Sequence, residues 1–186
     1  MRKATFVRIA VVVMATLFAV SMASAQALNS TAQPIQLNAT LTESLTVGLS
    51  ASSVNFNLSA GSAANPGLTG VTATTTWALA KTRSTVGVYA YFATTTALTD
   101  GAGDNIPTSA FSISDNGGAA AAVTGSVVFG AAGAGLQLAN VALSGANFSG
   151  NRTDAMTFNI NLSGGTLPSL PAATYTGTLN IQAQAL

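Results

Sequence analysis

Ile-Gln-Leu-Asn-Ala-Thr-Leu-Thr-Glu-Ser-Leu-Thr-Val-Gly-Leu, residues 35–49, alternates apolar and polar positions almost without interruption. Every odd position is apolar except Glu43, and the even positions carry polar residues or glycine. Because side chains alternate between the two faces of a β-strand, this two-residue period predicts extended chain. Single strands rarely run over 15 residues, so the stretch predicts two consecutive strands, 35–41 and 44–50, with a junction at Thr42-Glu43.

The same period recurs along the rest of the chain, where clusters of Gly, Asn, Asp and Pro typical of turns interrupt it. Short strands at this spacing, without an alternation of strands and helices, predict an all-β protein with an immunoglobulin-like β-sandwich. The further strand candidates are 53–59, 70–80, 85–93, 109–114, 121–129, 136–143, 155–163 and 173–185.

The parity of each strand assigns its side chains to faces. In 70–80, Trp77 stands on the apolar face and is predicted to lie in the core. In 85–93 the even positions are apolar, which places Tyr89 and Tyr91 side by side on the opposite, outward face. These two tyrosines are therefore a candidate contact surface for sugars or for another subunit.

The composition argues against an enzyme. The chain has no His and no Cys, so it lacks an imidazole base, a thiolate nucleophile and the usual zinc ligands. Hydrophobic residues make up 48% of the chain and charged residues only 6%, far below the roughly 25% of an ordinary soluble domain. These values predict a non-enzymatic structural or binding protein with no cofactor and no metal.

A calcium loop is the one metal site that the sequence raises. Asp100, Asp104 and Asp115 lie near glycines in predicted turns, and carboxylate oxygens suit calcium. Their spacing does not match the twelve-residue calcium loop, so solvated turns are the preferred interpretation.

The first residues are typical of a secretory signal peptide. Three basic residues within the first eight positions precede a predominantly apolar run, 9–20, and Ala23-Ser24-Ala25 offers small residues for cleavage. We therefore predict a signal peptide over residues 1–25, an N-terminal extension over 26–43 and a β-sandwich domain over 44–186.

The charge that remains after cleavage excludes several partners. Three basic and five acidic residues follow the predicted cleavage site, giving a net charge of −2 and no basic patch. Nucleic acid and anionic membrane surfaces are therefore not expected as partners. No second apolar run of membrane length follows, so we expect the chain to leave the cytoplasm as a soluble polypeptide.

The extension is the most informative feature for function. A β-sandwich that lacks one strand exposes a groove and an unpaired edge, and a strand supplied by a neighbouring subunit completes it. In this interpretation Ile35, Leu37, Ala39 and Leu41 are the donor side chains that enter a neighbour's groove. The alternative, in which 35–41 pairs within its own subunit, fits the same pattern.

The chain resembles cysteine-free major subunits of chaperone–usher fimbriae and the related spore coat protein U domain. The resemblance rests on the order of a signal, an alternating extension and a Thr/Ser/Asn/Gly-rich β domain, and on the terminal stretch Leu170-Pro-Ala-Ala-Thr-Tyr-Thr-Gly-Thr-Leu-Asn-Ile-Gln-Ala183. That stretch matches the ending shared by such subunits: small residues, Tyr, a Gly or Asp, and two aliphatic residues in alternation.

The resemblance implies a function and partners. It implies that Tyr175, Leu179 and Ile181 border an acceptor groove, and that the groove takes the extension of the next identical subunit. It also implies a periplasmic chaperone and an outer-membrane usher as partners, and an extracellular fibre as the product. The alternative function is a monomeric secreted adhesin or carbohydrate-binding module that uses Tyr89 and Tyr91.

Overall fold

The computed structural model describes residues 28–186, which belong to two units that meet between Thr40 and Leu41. The predicted signal peptide, residues 1–25, lies outside the described residues. Residues 28–43 form neither helix nor strand, and all their side chains are exposed. The segment 35–41, predicted as a strand, therefore forms none in this structure, because an extended segment becomes a strand only when its backbone joins a ladder.

Residues 44–186 form antiparallel strands and, within the described part of the chain, only two 3₁₀ turns, at Thr108–Ala110 and Leu167–Ser169. The strands are β1 (Ser44–Leu49), β2 (Asn65–Pro66), β3 (Val71–Ala78), β4 (Thr85–Tyr91), β5 (Thr96–Thr99), β6 (Asn105–Pro107), β7 (Phe111–Asp115), β8 (Ala121–Ala122), β9 (Gly135–Ala142), β10 (Ser149–Ile160) and β11 (Asn180–Ala185). The prediction of an all-β protein is confirmed. No helix among residues 28–186 has the length and apolar character needed to cross a membrane.

The strands build three antiparallel sheets. The first has the order β1-β3-β10-β7-β8, with β2 also paired to β10, and the second has the order β11-β4-β9. A short third sheet pairs β5 with β6. Buried side chains of the first sheet, such as Met156, share one apolar cluster with Ala90 of the second sheet. This arrangement is consistent with a β-sandwich.

The core consists of two apolar clusters. The larger one, here called the Phe111 cluster, contains buried side chains of β3, β4, β7 and β10. The smaller one, the Trp77 cluster, contains Trp77, Val86 and Leu143. Trp77 is 5% exposed and its indole Nε1 donates a hydrogen bond to the carbonyl oxygen of Asn147 at 2.9 Å, so its predicted core position is confirmed.

Besides 35–41, other predicted strands are missing from the sheets wholly or in part, and 121–129 forms a strand only at Ala121–Ala122. Residues 53–59 join the fold by a single bridge, Phe56 to Gly67, and 173–179 by a single bridge, Thr176 to Thr99. Only the end of the last candidate, Asn180–Ala185, forms a strand. The alternation in these segments is real, but alternation reports which side chains are buried and not whether the backbone has a ladder partner.

Candidate functional site

A groove with a volume of about 940 Å³, lined by polar and apolar residues, opens between the two larger sheets. Its floor is the Phe111 cluster, an apolar surface whose side chains at the floor are at most 6% exposed. The floor residues include Val71, Phe92, Phe111, Met156 and Phe158. An apolar surface of this kind favours an apolar occupant, because water against it costs free energy.

Phe111 is the centre of the groove floor. Its ring lies 5.3 Å from that of Phe92 and 5.9 Å from that of Phe158, measured between ring centroids. The ring of Phe56 meets it edge-on at 6.0 Å from the side of the groove. The contacts with Phe92 and Phe56 are edge-to-face and the one with Phe158 is tilted, and aromatic contacts at these separations are favourable. The floor is therefore formed without a ligand.

The first border of the groove is residues 51–58, here called the N-terminal edge. Val54, Phe56 and Leu58 are half-buried against the Phe111 cluster, while the residues between them are exposed. Among the described residues, the only backbone hydrogen bond of this edge is the one that the Asn55 oxygen accepts from the Leu68 N–H at 2.9 Å. The edge thus has the side-chain pattern of a strand and a largely unused backbone.

The second border is residues 173–179, here called the C-terminal edge, which continues into β11. Tyr175 and Leu179 of this edge and Ile181 of β11 all line the groove and pack against the Phe111 cluster. Within the described residues, the backbone of the edge bonds only through Thr176, which exchanges two hydrogen bonds of 2.9 Å with Thr99. The three residues assigned to an acceptor groove on the sequence are thus together on one side of it.

Two local features hold the C-terminal edge in place. Gly177 lies so close to the Ala97 carbonyl that a Cβ at this position would collide with it, which explains the glycine. The hydroxyl of Tyr175 donates a hydrogen bond to the Pro171 oxygen at 3.0 Å. Partial burial, together with the charges of Asp104 and Asp100, raises the pKa of this hydroxyl, so it remains a donor at neutral pH.

The predicted donor residues are exposed. Ile35, Leu37 and Leu41 are 84%, 86% and 89% exposed, and Ala39 is exposed as well. Single exposed apolar residues are common, but three large ones within seven residues, all at odd positions of an alternating segment, are not. The groove lining, in contrast, comes from residues 49–181 of the larger unit.

The chain joins the first sheet at the end remote from the groove. β1 begins at Ser44 opposite Ala78, whereas the groove reaches Val71 at the other end of β3. Glu43 marks this point: its carboxylate accepts hydrogen bonds from the Ala80 N–H at 2.8 Å and from the Arg83 guanidinium at 2.9 and 3.1 Å. These bonds, first of all the one from Arg83, lower the pKa of Glu43 to about 2.

Tyr89 and Tyr91 are not an exposed pair, which corrects the sequence prediction. Tyr89 is 9% exposed and Tyr91 is half-buried. Both rings contact Phe129, at centroid distances of 5.9 and 5.7 Å, and the Tyr91 hydroxyl donates to Gln182 at 2.8 Å. The two tyrosines do share a face of the sheet. Phe129, which lies between β8 and β9, covers this face, and the parity of a strand cannot predict a contact with a distant segment.

A partly exposed polar cluster, which the sequence did not suggest, joins β7 to β10 around the buried carboxylate of Asp154. The Arg152 guanidinium lies 2.6 Å from Asp154 and 3.8 Å from Asp115. Asn116 donates hydrogen bonds to both carboxylates and accepts one from the Ala155 N–H. Burial and the charge of Asp154 raise the pKa of Asp115. One guanidinium facing two carboxylates fits a structural role in joining the two strands.

The calcium-loop residues do not converge. Asp100 Oδ1 accepts hydrogen bonds from the N–H groups of Ala102, Gly103 and Asp104 at 2.8 to 3.1 Å, so it stabilises its own turn. Asp115 belongs to the polar cluster of β7 and β10. In residues 28–186, no group of three or more acidic, His or Cys side chains is arranged to hold a metal ion.

Comparisons with known proteins identify no relative of this chain. No family model matches it. No curated protein matches it, and no solved structure does so.

Proposed function

We propose that this protein is the structural subunit of an extracellular fibre, assembled head-to-tail by donation of residues 35–41 to the groove of the next subunit. In fold terms, residues 44–186 are an immunoglobulin-like sandwich of the pilin type that lacks one strand. The observation that carries the proposal is the groove, because its floor is apolar and it is bordered on both sides by strand-like segments whose backbones have few partners.

The donor segment suits this groove in side-chain pattern. A strand laid between the N-terminal and C-terminal edges has backbone partners on both sides, and one of its faces meets the Phe111 cluster. Ile35, Leu37, Ala39 and Leu41 all lie on one face of such a strand. Each of the three large side chains gains about 1.5–3 kcal/mol on full burial, which offsets part of the cost of association.

The point at which the extension joins the larger unit favours an open polymer. The chain joins the first sheet beside Ala78, while the groove lies past the other end of β3, about 20 Å away at 3.3 Å per residue. A contact between two different surfaces of identical subunits repeats without closing unless the rotation happens to form a ring. Each subunit then has one donor and one acceptor, which is the requirement for a fibre.

Export and assembly partners are part of the same proposal. The predicted signal peptide directs the chain out of the cytoplasm, and an exposed apolar groove needs cover until the donor arrives. A periplasmic chaperone that occupies the groove and an outer-membrane usher that exchanges it for the donor meet this need. Identical subunits are the final partners, and the fibre is placed at the cell surface.

The test compares two neighbouring substitutions in the extension. Leu37→Asp places a charge on the donor face, whereas Asn38→Asp places the same charge on the opposite face of the same segment. We expect fibres by negative-stain microscopy and SDS-resistant ladders from the unsubstituted chain and from Asn38→Asp, but only monomers or chaperone complexes from Leu37→Asp. Monodisperse, soluble and equally stable monomers from all three chains would refute the proposal.

A further inference from the structure

Residues 164–172 lie at the groove but belong to neither of its edges. Leu167 and Leu170, three residues apart on the second 3₁₀ turn, are half-buried against the Phe111 cluster and line the groove. They cover part of the same apolar surface that a donor strand requires. The segment therefore either forms a permanent wall or occupies space that the donor takes over.

The backbone bonding of this segment distinguishes the two roles. Among residues 28–186, its backbone N–H groups bond only within the segment itself: Leu167 to Gly164, Ser169 to Thr166 and Leu170 to Leu167. Pro168 and Pro171 add none, since proline has no N–H. The segment has no ladder to either sheet, and among residues 28–186 its one backbone hydrogen bond to the rest of the protein is the one that the Pro171 oxygen accepts from the Tyr175 hydroxyl at 3.0 Å.

The flanks of the segment permit such movement. Gly164 and Gly165 precede the turn, and Gly165 has a positive φ of 58°, a conformation that glycine adopts without strain. On the other side, the chain is next fixed at Thr176 by its hydrogen bonds with Thr99. The segment is thus attached to the groove by its two leucine side chains and by the hydrogen bond between Tyr175 and Pro171.

We propose that residues 164–172 are a plug, in which Leu167 and Leu170 cover one part of the empty groove and are displaced when the donor strand of another subunit docks. This inference rests on the proposed function and concerns its regulation. The plug shields the Phe111 cluster from water and from wrong apolar partners, and it slows docking because the donor has to displace two side chains. A permanent wall has the opposite consequence, since its leucines hold the donor and their loss weakens binding.

The experiment measures uptake of a fluorescent peptide with the sequence of residues 33–42. The acceptor is the chain without its signal peptide, carrying Leu37→Asp so that it does not fill its neighbours' grooves. Leu167→Ser together with Leu170→Ser removes the plug's contacts. Leu68→Ser is the matched control, because Leu68 is 60% exposed and does not line the groove.

We expect the double variant to take up the peptide about tenfold faster than the acceptor, and the Leu68→Ser control to take it up at the same rate as the acceptor; a tenfold change corresponds to about 1.4 kcal/mol. Slower or unchanged uptake by the double variant, with peptide still bound by the acceptor, overturns the plug and leaves the donor-strand assembly intact. Failure of every chain to bind the peptide overturns both.

Hydrogen exchange measured on the acceptor is a second test, and it requires no substitution in residues 164–172. If the plug is displaced, the amide hydrogens of Leu167, Ser169 and Leu170 exchange faster once the peptide is bound, because their turn hydrogen bonds are lost. If the segment is a permanent wall, these amide hydrogens exchange more slowly in the complex. Slower or unchanged exchange at these amides in the peptide complex contradicts the plug.

Discussion

The two larger sheets have two ends that differ in backbone pairing. At the end with the Trp77 cluster, here called the closed end, Leu45 pairs with Trp77 across β1 and β3. The carbonyl of Leu186 accepts hydrogen bonds from the N–H groups of Ser84 and Thr85 at that same end. At the other end, here called the open end, the N-terminal edge follows β1 and the C-terminal edge precedes β11, and neither edge forms a ladder. The Phe111 cluster forms the floor of the groove there.

This difference lies in the backbone and not in the apolar side chains. Both ends contain large buried hydrophobic residues, and the Phe111 cluster is the larger of the two. In the described residues, the groove and no strand lies between the two edges of the open end. A ligand that completes the open end should therefore supply both backbone partners and apolar side chains, as a β-strand does.

The largest effect is expected from Phe111→Ala, which removes the centre of the groove floor. Phe111 is buried and touches three other phenylalanine rings, so its loss leaves a cavity and should lower the free energy of unfolding by about 3–5 kcal/mol. Guanidinium denaturation monitored by the fluorescence of Trp77 measures it. A loss below 1 kcal/mol would mean that the open end contributes little to the core.

A peptide of residues 33–42 should stabilise the open end and not the closed end. At a hundred times its dissociation constant it adds about 2.7 kcal/mol to the free energy of unfolding of the Leu37→Asp chain. Hydrogen exchange should slow in residues 51–58 and 173–179, with little change in β1 beside Trp77. Uniform protection of both ends, or none, would contradict the comparison; the same peptide carrying Leu37→Asp is the control.

Trp77→Phe tests the closed end alone. The substitution keeps an aromatic ring but loses the hydrogen bond from the indole to Asn147, so we expect the unfolding free energy to fall by about 1 kcal/mol. Peptide uptake and fibre formation should be unchanged, because Trp77 lies outside the groove lining. A loss of fibres from a folded Trp77→Phe chain would show that the two ends are coupled.

The smallest effects are expected from two carboxylates with opposite pH dependence. The raised pKa of Asp115 means that its stabilising contribution is full below pH 3.8 and is lost as pH rises through the folded pKa. For Glu43, whose pKa falls from 4.5 to about 2, the contribution is present above pH 4.5 and is lost as pH falls towards 2.

Melting temperatures measured between pH 2 and pH 7 check both signs. The stability of Asp115→Asn relative to the unsubstituted chain should increase as pH rises from 4. Glu43→Gln should be less stable than the unsubstituted chain at pH 7, and this difference should disappear as pH falls below 4.5. If the melting temperature of a variant follows that of the unsubstituted chain over this whole pH range, the replaced carboxylate does not have the contacts described above.

The sequence predicted only part of the candidate groove. Tyr175, Leu179 and Ile181 were assigned to a groove from a resemblance, and the structure brings them to one side of an apolar groove. The opposite side was missed, although Val54, Phe56 and Leu58 carry the same two-residue signal. Alternation identified 53–59 as extended chain, but nothing local shows that such a segment lacks a neighbour.

Short-range pattern determined the all-β class, the buried face of Trp77, Met156 and Phe158, and the start of the first ladder immediately after Glu43. These features follow from which face of a strand each side chain occupies, and that depends only on neighbouring residues. The tertiary structure alone decided which extended segments obtain ladder partners, where the groove opens, and that Phe129 covers Tyr89. These depend on contacts between residues far apart in the chain, and no local pattern encodes which distant backbone will be adjacent.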